Sequence, residues 1–297
     1  MANWGSKLVN SIREKGKNMQ SEMSFFEHLE ALRWHIIRTA LFVLVFAIVA
    51  FAFFRNLFHG VIMAPTRTDF WTYQVMCHFG HWLHSLMSFM SADDFCVKPF
   101  NFHLLNTQMA GQFTLQLNTS IMIGLILGIP YLLFELWRFI RPALHENERK
   151  AASGFVFYAS FLFFLGVMFG YYIVTPLSVR FFATYDVSDS ITNWFDVDNY
   201  ISSVTWLTLL AGIVFQLPMV VYILSSLSIL TAKFMRRTRR YATILILMLA
   251  AIITPSPDAL TMLVVAAPLF LLYEFSIMVA AFVERRRIKR EKAEALA

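Results

Sequence analysis

Residues 134–150 read FELWRFIRPALHENERK, and they lie between two long apolar runs. The stretch is dense in charge: Glu135, Glu146 and Glu148 stand among Arg138, Arg141, Arg149 and Lys150. A charged interruption between such runs reads as a loop between membrane helices, because ~20 residues at ~1.5 Å rise cross a ~30 Å hydrocarbon core. Composition agrees, since 58% of the chain is hydrophobic and only 15% is charged. That leaves too little polar surface to cover a soluble core. In lipid each backbone polar group needs an internal partner, so apolar runs of this length fold as helices. The expected fold is an all-α integral membrane protein.

Working outward from the loop, the apolar runs predict six transmembrane helices, at about 36–54, 113–133, 155–174, 201–224, 241–254 and 260–283. The fifth is cut off by Thr254-Pro255-Ser256-Pro257-Asp258, whose prolines prevent simple continuation. Its apolar part, 243–253, reaches only ~16 Å. The fifth span is therefore expected to form a tight hairpin with the sixth and to thin the bilayer or sit tilted behind its neighbours, and the last two spans together are expected to be short. Pro130, Pro218 and Pro268 are expected to kink their helices and curve the bundle into a concave shape with a groove. Residues 1–35 form a cytoplasmic tail with an interfacial helix in this reading, since Phe25, Phe26, Leu29, Leu32 and Ile36 recur at helical spacing. Residues 36–283 form the six-span unit, with an extended first periplasmic loop at about 55–112, and 284–297 form a basic cytoplasmic tail. Residues 1–23 are polar and the first apolar run begins only near Ile36, so no cleavable signal peptide is expected.

Basic residues set the orientation. With the N-terminus inside, 21 of the 25 Lys and Arg fall on the cytoplasmic side, and only Arg55, Arg67, Lys98 and Arg180 fall outside. All eight Asp lie in outer segments. Both termini are then cytoplasmic. The same sorting removes the nucleic-acid reading that a pI of 9.4 invites; lipid is the expected partner of those charges, with no nucleic acid.

Several kinds of chemistry are absent. There is no Gly-x-Ser-x-Gly, no His-Glu-x-x-His and no Gly-x4-Gly-Lys-Ser/Thr. No enzyme activity and no cofactor are expected. His78, His81 and His84 stand beside Cys77, but their spacing drifts around a helix and no carboxylate completes a set, so no metal is expected. Cys77 and Cys96 lie in the first outer loop, where oxidation to a disulfide is the expectation and two unpaired buried thiols the alternative.

Two polar residues interrupt the spans. Gln216 and Glu274 both lie ~21 Å from the outer ends of their helices. One reading is a helix–helix hydrogen bond; the other is the polar floor of a groove that receives a polar segment. In the opening loop, ordinary ion pairing of Glu146 and Glu148 is worth only ~0–1 kcal/mol. A sharper use is available, because a carboxylate accepts two parallel bonds from a guanidinium, which Lys cannot supply.

At this point the chain resembles the TatC family, the multispanning receptor subunit of the twin-arginine protein translocase. Phe139-Ile140-Arg141-Pro142-Ala143-Leu144-His145-Glu146-Asn147-Glu148-Arg149 is similar to the family's Phe-x-x-Pro-x-Leu-x-x-x-Glu-Arg loop. His28-Leu29-Glu30-Ala31-Leu32-Arg33 is similar to its His-Leu-x-Glu-Leu-Arg. Ala64-Pro65, Gly166 to Pro176, Phe215-Gln216-Leu217-Pro218 and 254–258 follow in matching order. The resemblance implies a receptor for paired-arginine signal peptides of folded precursor proteins. It implies assembly with single-span TatA/TatB-type subunits, self-association, and export driven by the proton-motive force, in the inner membrane of a prokaryote. It assigns signal-peptide contact to Glu148, Glu30, Arg149, Phe139, Pro142, Leu144, Leu29 and Arg33. Gln216, Glu274 and Pro65 fall to an intramembrane groove or partner contact. One departure stands out: the family's acid lies directly before Leu-Arg, where this chain has Ala31, and Glu30 sits ~100° around the helix. The reading from another class is a proton- or ion-coupled secondary transporter of a small solute with Gln216 and Glu274 as coupling site, but the repeats expected of one are not seen. A third, a scaffold without ligand, leaves the charged loop unexplained.

Overall fold

The structure, a computed structural model, describes residues 25–86, 96, 102–140, 154–186, 188, 193–253 and 259–294. The chain enters as one continuous helix, α1 (Phe25–Ala52), so the interfacial stretch and the first span are a single element. After Phe53 the backbone tightens through Phe54–Leu57, a π-turn at Phe58–Ile62 and a 3-10 turn at Ala64–Thr66. Helix α2 (Trp71–Leu86) follows, then strand β1 (His103–Leu105). Helix α3 (Gly111–Ile140) carries Pro130 in its interior. Helix α4 (Phe155–Phe169) passes through a π-turn, Gly170–Val174, into α5 (Thr175–Thr184), and Pro176 near the start of α5 has no amide proton for the Tyr172 carbonyl, which accepts from the Thr72 hydroxyl instead. Strand β2 (Trp194–Asp196) leads into α6 (Val197–Val214), whose first turn is capped by the Asp196 carboxylate accepting from the Asp198 amide at 2.9 Å. The helix breaks at Phe215 and Gln216, because Pro218 has no amide proton to continue the ladder, and resumes as α7 (Leu217–Ser226). Ser228 turns the chain with a φ of 63°. Helices α8 (Ala232–Arg237), α9 (Arg239–Ile253) and α10 (Ala259–Glu294) complete the described fold.

Among the described residues, five segments are long and apolar enough to cross a membrane: Leu32–Ala52, Gly111–Ile140, Phe155–Thr184, Val197–Ser226 and Thr261–Lys289. The chain is a multi-pass membrane protein. Of the two closing helices expected to be short, only α9 is, at 15 residues; α10 runs 36 residues, because the basic tail after Val283 extends it with good helix formers. A second correction concerns the all-α expectation. β1 and β2 pair in parallel, His103 opposite Trp194 and Leu105 opposite Asp196. The strands are three residues each, too short for an alternation to show in sequence. They are held by stacking of Phe102 on Phe195 (4.6 Å) and His103 on Trp194 (5.3 Å).

Lipid offers little hydrophobic drive between helices, so close backbone approach decides the packing. Gly124 and Gly128 of α3 lie against Val43 and Ala47 of α1; a Cβ at 124 would come within 2.7 Å of the Ala47 amide nitrogen. Gly166 and Gly170 lie in the same way against Ala211, Phe215 and Thr208 of the α6 region. One buried cluster joins Leu133 and Trp137 of α3 to Phe155, Ala159 and Phe163 of α4 and Leu209 of α6. Another joins Phe169, Ala211, Val214 and Phe215 to Ile246 and Ala250 of α9 and Val265, Ala266 and Leu269 of α10. The faces turned away from these clusters carry Leu41, Leu44, Ile48, Phe157, Phe161, Leu245 and Leu271, all exposed, as lipid-facing surfaces require.

Candidate signal-peptide site and intramembrane polar residues

The N-terminal part of α1 meets the C-terminal part of α3 at one end of the bundle. Glu30 and Arg33 are exposed on α1, and Phe139 is half-buried near the end of α3. Between them lies a polar contact that the sequence reading did not single out. Glu135 is only 2% exposed. One of its oxygens contacts Nδ1 of His35 on α1, and the other accepts from the Tyr131 hydroxyl at 2.9 Å. Phe139 places its ring edge-on to His35, centroids 6.1 Å apart, and Tyr131 stacks on Phe42 at 4.3 Å. The available signal was the spacing: Tyr131, Glu135 and Phe139 recur every four residues and share one face of α3. Pro142, Leu144, Glu148 and Arg149 lie outside the described residues, as does the side chain of Leu29.

The intramembrane residues separate. Gln216, at the α6–α7 break, donates from Nε2 to the Ala159 carbonyl of α4 at 2.8 Å. Its Oε1 is buried and has no hydrogen-bond partner among the described residues. Glu274 of α10 instead pairs with Arg239 at the start of α9, at 2.6 Å, with both side chains partly exposed. The two residues share no partner. An open apolar hollow of about 600 Å³ lies nearby, lined by Trp71, Leu165, Met168, Phe169, Tyr172, Ile173, Phe215 and Pro268. Neither Gln216 nor Glu274 lines it, so it has no polar floor of the kind expected for the groove.

Pro65 is buried in the loop after α1, and three phenols tie that loop to the bundle. The Tyr73 hydroxyl lies 2.9 Å from the Pro65 carbonyl and 3.0 Å from that of Pro176. Tyr171 donates to Val61 and Tyr200 to Ile62. Burial pushes the Tyr73 phenol well above its usual pKa, against the opposing pull of Arg180, so it remains a donor. Cys77 and Cys96 are joined by a disulfide. His81 lies beside them, but both sulfurs are spent in the bond and offer no thiolate to a metal.

The family model for the Sec-independent protein translocase protein TatC matches residues 27–268. The chain belongs to the TatC family. A TatC from Blattabacterium is 35% identical over 271 residues, covering 91% of this chain and all of the relative. A TatC from Koribacter versatilis is 34% identical over 92% of this chain and 91% of its own. A crystal structure of the twin-arginine translocase receptor TatC superposes with a TM-score of 0.62 at 28% identity, over 87% of this chain and 100% of that one. The same receptor crystallised in DDM gives 0.63 at 29% identity. As a TatC, the chain is a protein-translocation component of a membrane.

Proposed function

We propose that this TatC is the signal-peptide receptor of a twin-arginine translocase. The match that runs through 27–268, together with the likeness to a solved twin-arginine translocase receptor, carries the reading. Paired-arginine signal peptides bind at the basic end of the bundle, on the cytoplasmic side. Glu148 accepts the guanidinium groups, Arg149, Phe139, Pro142 and Leu144 shape its loop, and Leu29, Glu30 and Arg33 on α1 form the facing wall. A bidentate carboxylate–guanidinium pair distinguishes Arg from Lys by geometry rather than by charge. Single-span TatA/TatB-type subunits and further copies of the chain complete the export path for folded proteins, with the proton-motive force as driving energy. Six spans, α9 among them, place both termini in the cytoplasm of a prokaryote. A small-solute transporter would need Gln216 and Glu274 to act together, and their separate partners weigh against it.

The test is photocrosslinking of the full chain by signal peptides that carry a photoreactive residue beside Arg-Arg or Lys-Lys. The expected result is strong capture by the Arg-Arg peptide alone, lost in a Glu148→Ala variant. Equal capture of both peptides with no effect of Glu148→Ala sinks the arginine site. Glu30→Ala is expected to weaken export less than Glu148→Ala, because Glu30 sits ~100° from the position of the family's acid.

A further inference from the structure

We infer that Glu135 is a positioning residue for the signal-peptide site, acting as a brace between α1 and α3 through His35. The inference rests on the receptor reading above and adds a residue to it. An ionisable group buried in a membrane helix is costly to keep without a task, and a named partner points to that task. Glu135 is 2% exposed, and both its oxygens are used: one holds His35 across the helix pair, the other Tyr131 within α3.

The placement of this contact gives it leverage. α1 and α3 touch most closely at Gly124, where added atoms would strike the α1 backbone, and at Gly128 one turn on. These glycines fix a crossing point and leave the helices free to splay beyond it. Glu135 lies eleven residues past Gly124, about 16 Å along α3, so a tilt of about 5° there moves the helix end by about 1.4 Å. A recognition site must be held to about 0.5 Å. Glu30 and Arg33 lie just N-terminal to His35 on α1, and Phe139 lies one turn beyond Glu135 on α3 with its ring against His35. The brace therefore sits directly under the described residues of the site. It sets the distance between the α1 wall and the end of α3 at Ile140.

A brace needs hydrogen bonds, whereas a direct arginine ligand needs the negative charge. Glu135→Gln keeps an acceptor for His35 and a group for Tyr131 while removing the charge; Glu135→Ala removes everything. Two readouts decide the matter in the full-length protein in detergent. Spin labels at Trp34→Cys and Arg138→Cys, both exposed positions, report the separation of the helix ends. Capture of the protein by an Arg-Arg peptide that carries a photoreactive residue reports the site. Glu135→Ala is expected to broaden or shift the distance distribution and lower capture about tenfold. Glu135→Gln is expected to keep parent-like distances and capture within about twofold. His35→Phe gives the same two readouts should Glu135→Ala not assemble. Parent-like distances in Glu135→Ala and His35→Phe overturn the brace, whatever the peptide does. Altered distances with undiminished capture overturn its link to the site. Lost capture in Glu135→Gln at parent-like distances overturns positioning and makes the carboxylate a ligand. Glu148→Ala in the same capture assay decides the receptor reading separately.

Discussion

Gln216 makes one hydrogen bond and leaves a second buried group without a partner among the described residues. An orphaned buried acceptor costs about 1–3 kcal/mol, while the bond its amide makes returns about 0.5–1.5 kcal/mol. On those magnitudes the amide is not kept for stability. Gln216→Leu is therefore expected to leave the melting temperature in detergent unchanged or slightly raised, yet to lower export. A variant that melts early and exports normally contradicts this, and would make the amide a helix tie. Tyr73 is the opposite case, a polar group kept for stability. Its hydroxyl reaches two carbonyls that a phenylalanine would leave without that donor, so Tyr73→Phe is expected to cost about 1–3 kcal/mol. The pH dependence has a definite sign. The folded phenol titrates above the unfolded one, so the unfolded state loses its proton first and stability falls as pH rises past about 10. Tyr73→Phe should flatten that alkaline decline in a melt series; an equally steep decline in the variant contradicts the assignment. Gln216 was visible in the sequence as a polar break in a span. Its split role was not, because the partner carbonyl lies 57 residues away on another helix.

At the scale of elements, the α1–α3 pair depends on what α3 lacks. A methyl at position 124 would lie 2.7–2.9 Å from backbone atoms of α1, which cannot rotate away, whereas at 128 the nearest atom is a Val43 methyl at 2.5 Å. Helix propensity favours either Gly→Ala change by about 1 kcal/mol. Overpacking against backbone costs about 1–3 kcal/mol, so Gly124→Ala is expected to destabilise and Gly128→Ala to be near neutral. Thermal melts of the two variants side by side check the order, and a Gly128→Ala variant that melts first contradicts it. Much of the architecture was legible: five long helices lie where the apolar runs predict them, and the break before Pro218 falls at the α6–α7 junction, while 254–258 lie outside the described residues. The Gly-x3-Gly pairs at 124/128 and 166/170 were also on the page, as small residues one helical turn apart. What periodicity does not encode is pairing at long range. His35 and Glu135 are 100 residues apart, and β1 meets β2 across the whole of α3, α4 and α5. Each partner alone reads as an ordinary residue of its own segment.

At the scale of the molecule, one helix decides the topology. α9 has 15 residues, about 22 Å of helix against a core of ~30 Å, and it is the one closing helix too short to count as a span by length. If it crosses, the basic segments before α9 and at the end of α10 face the same side; if it does not, they face opposite sides. The charge pattern argues for crossing, since Lys233, Arg236 and Arg237 precede α9, Arg239 and Arg240 open it, and Arg285, Arg286, Arg287 and Lys289 close α10. Placing either cluster outside would defeat the bias that orients every other span. The neighbours of α9 also make crossing feasible. Ile246 and Ala250 are buried against Val265, Ala266 and Leu269 of α10 and Phe169 of α4, so α9 need not face lipid along its full length, and the remaining mismatch is of the size a locally thinned bilayer accommodates. The chain contains only two cysteines and both are in the disulfide, so single introduced cysteines can be labelled in the parent background. In intact cells, an impermeant maleimide is expected to label Thr68→Cys and to spare Lys233→Cys and Lys289→Cys until the membrane is opened. Labelling of position 289 with protection of 233 would mean that α9 returns without crossing, leaving five spans and the C-terminus outside.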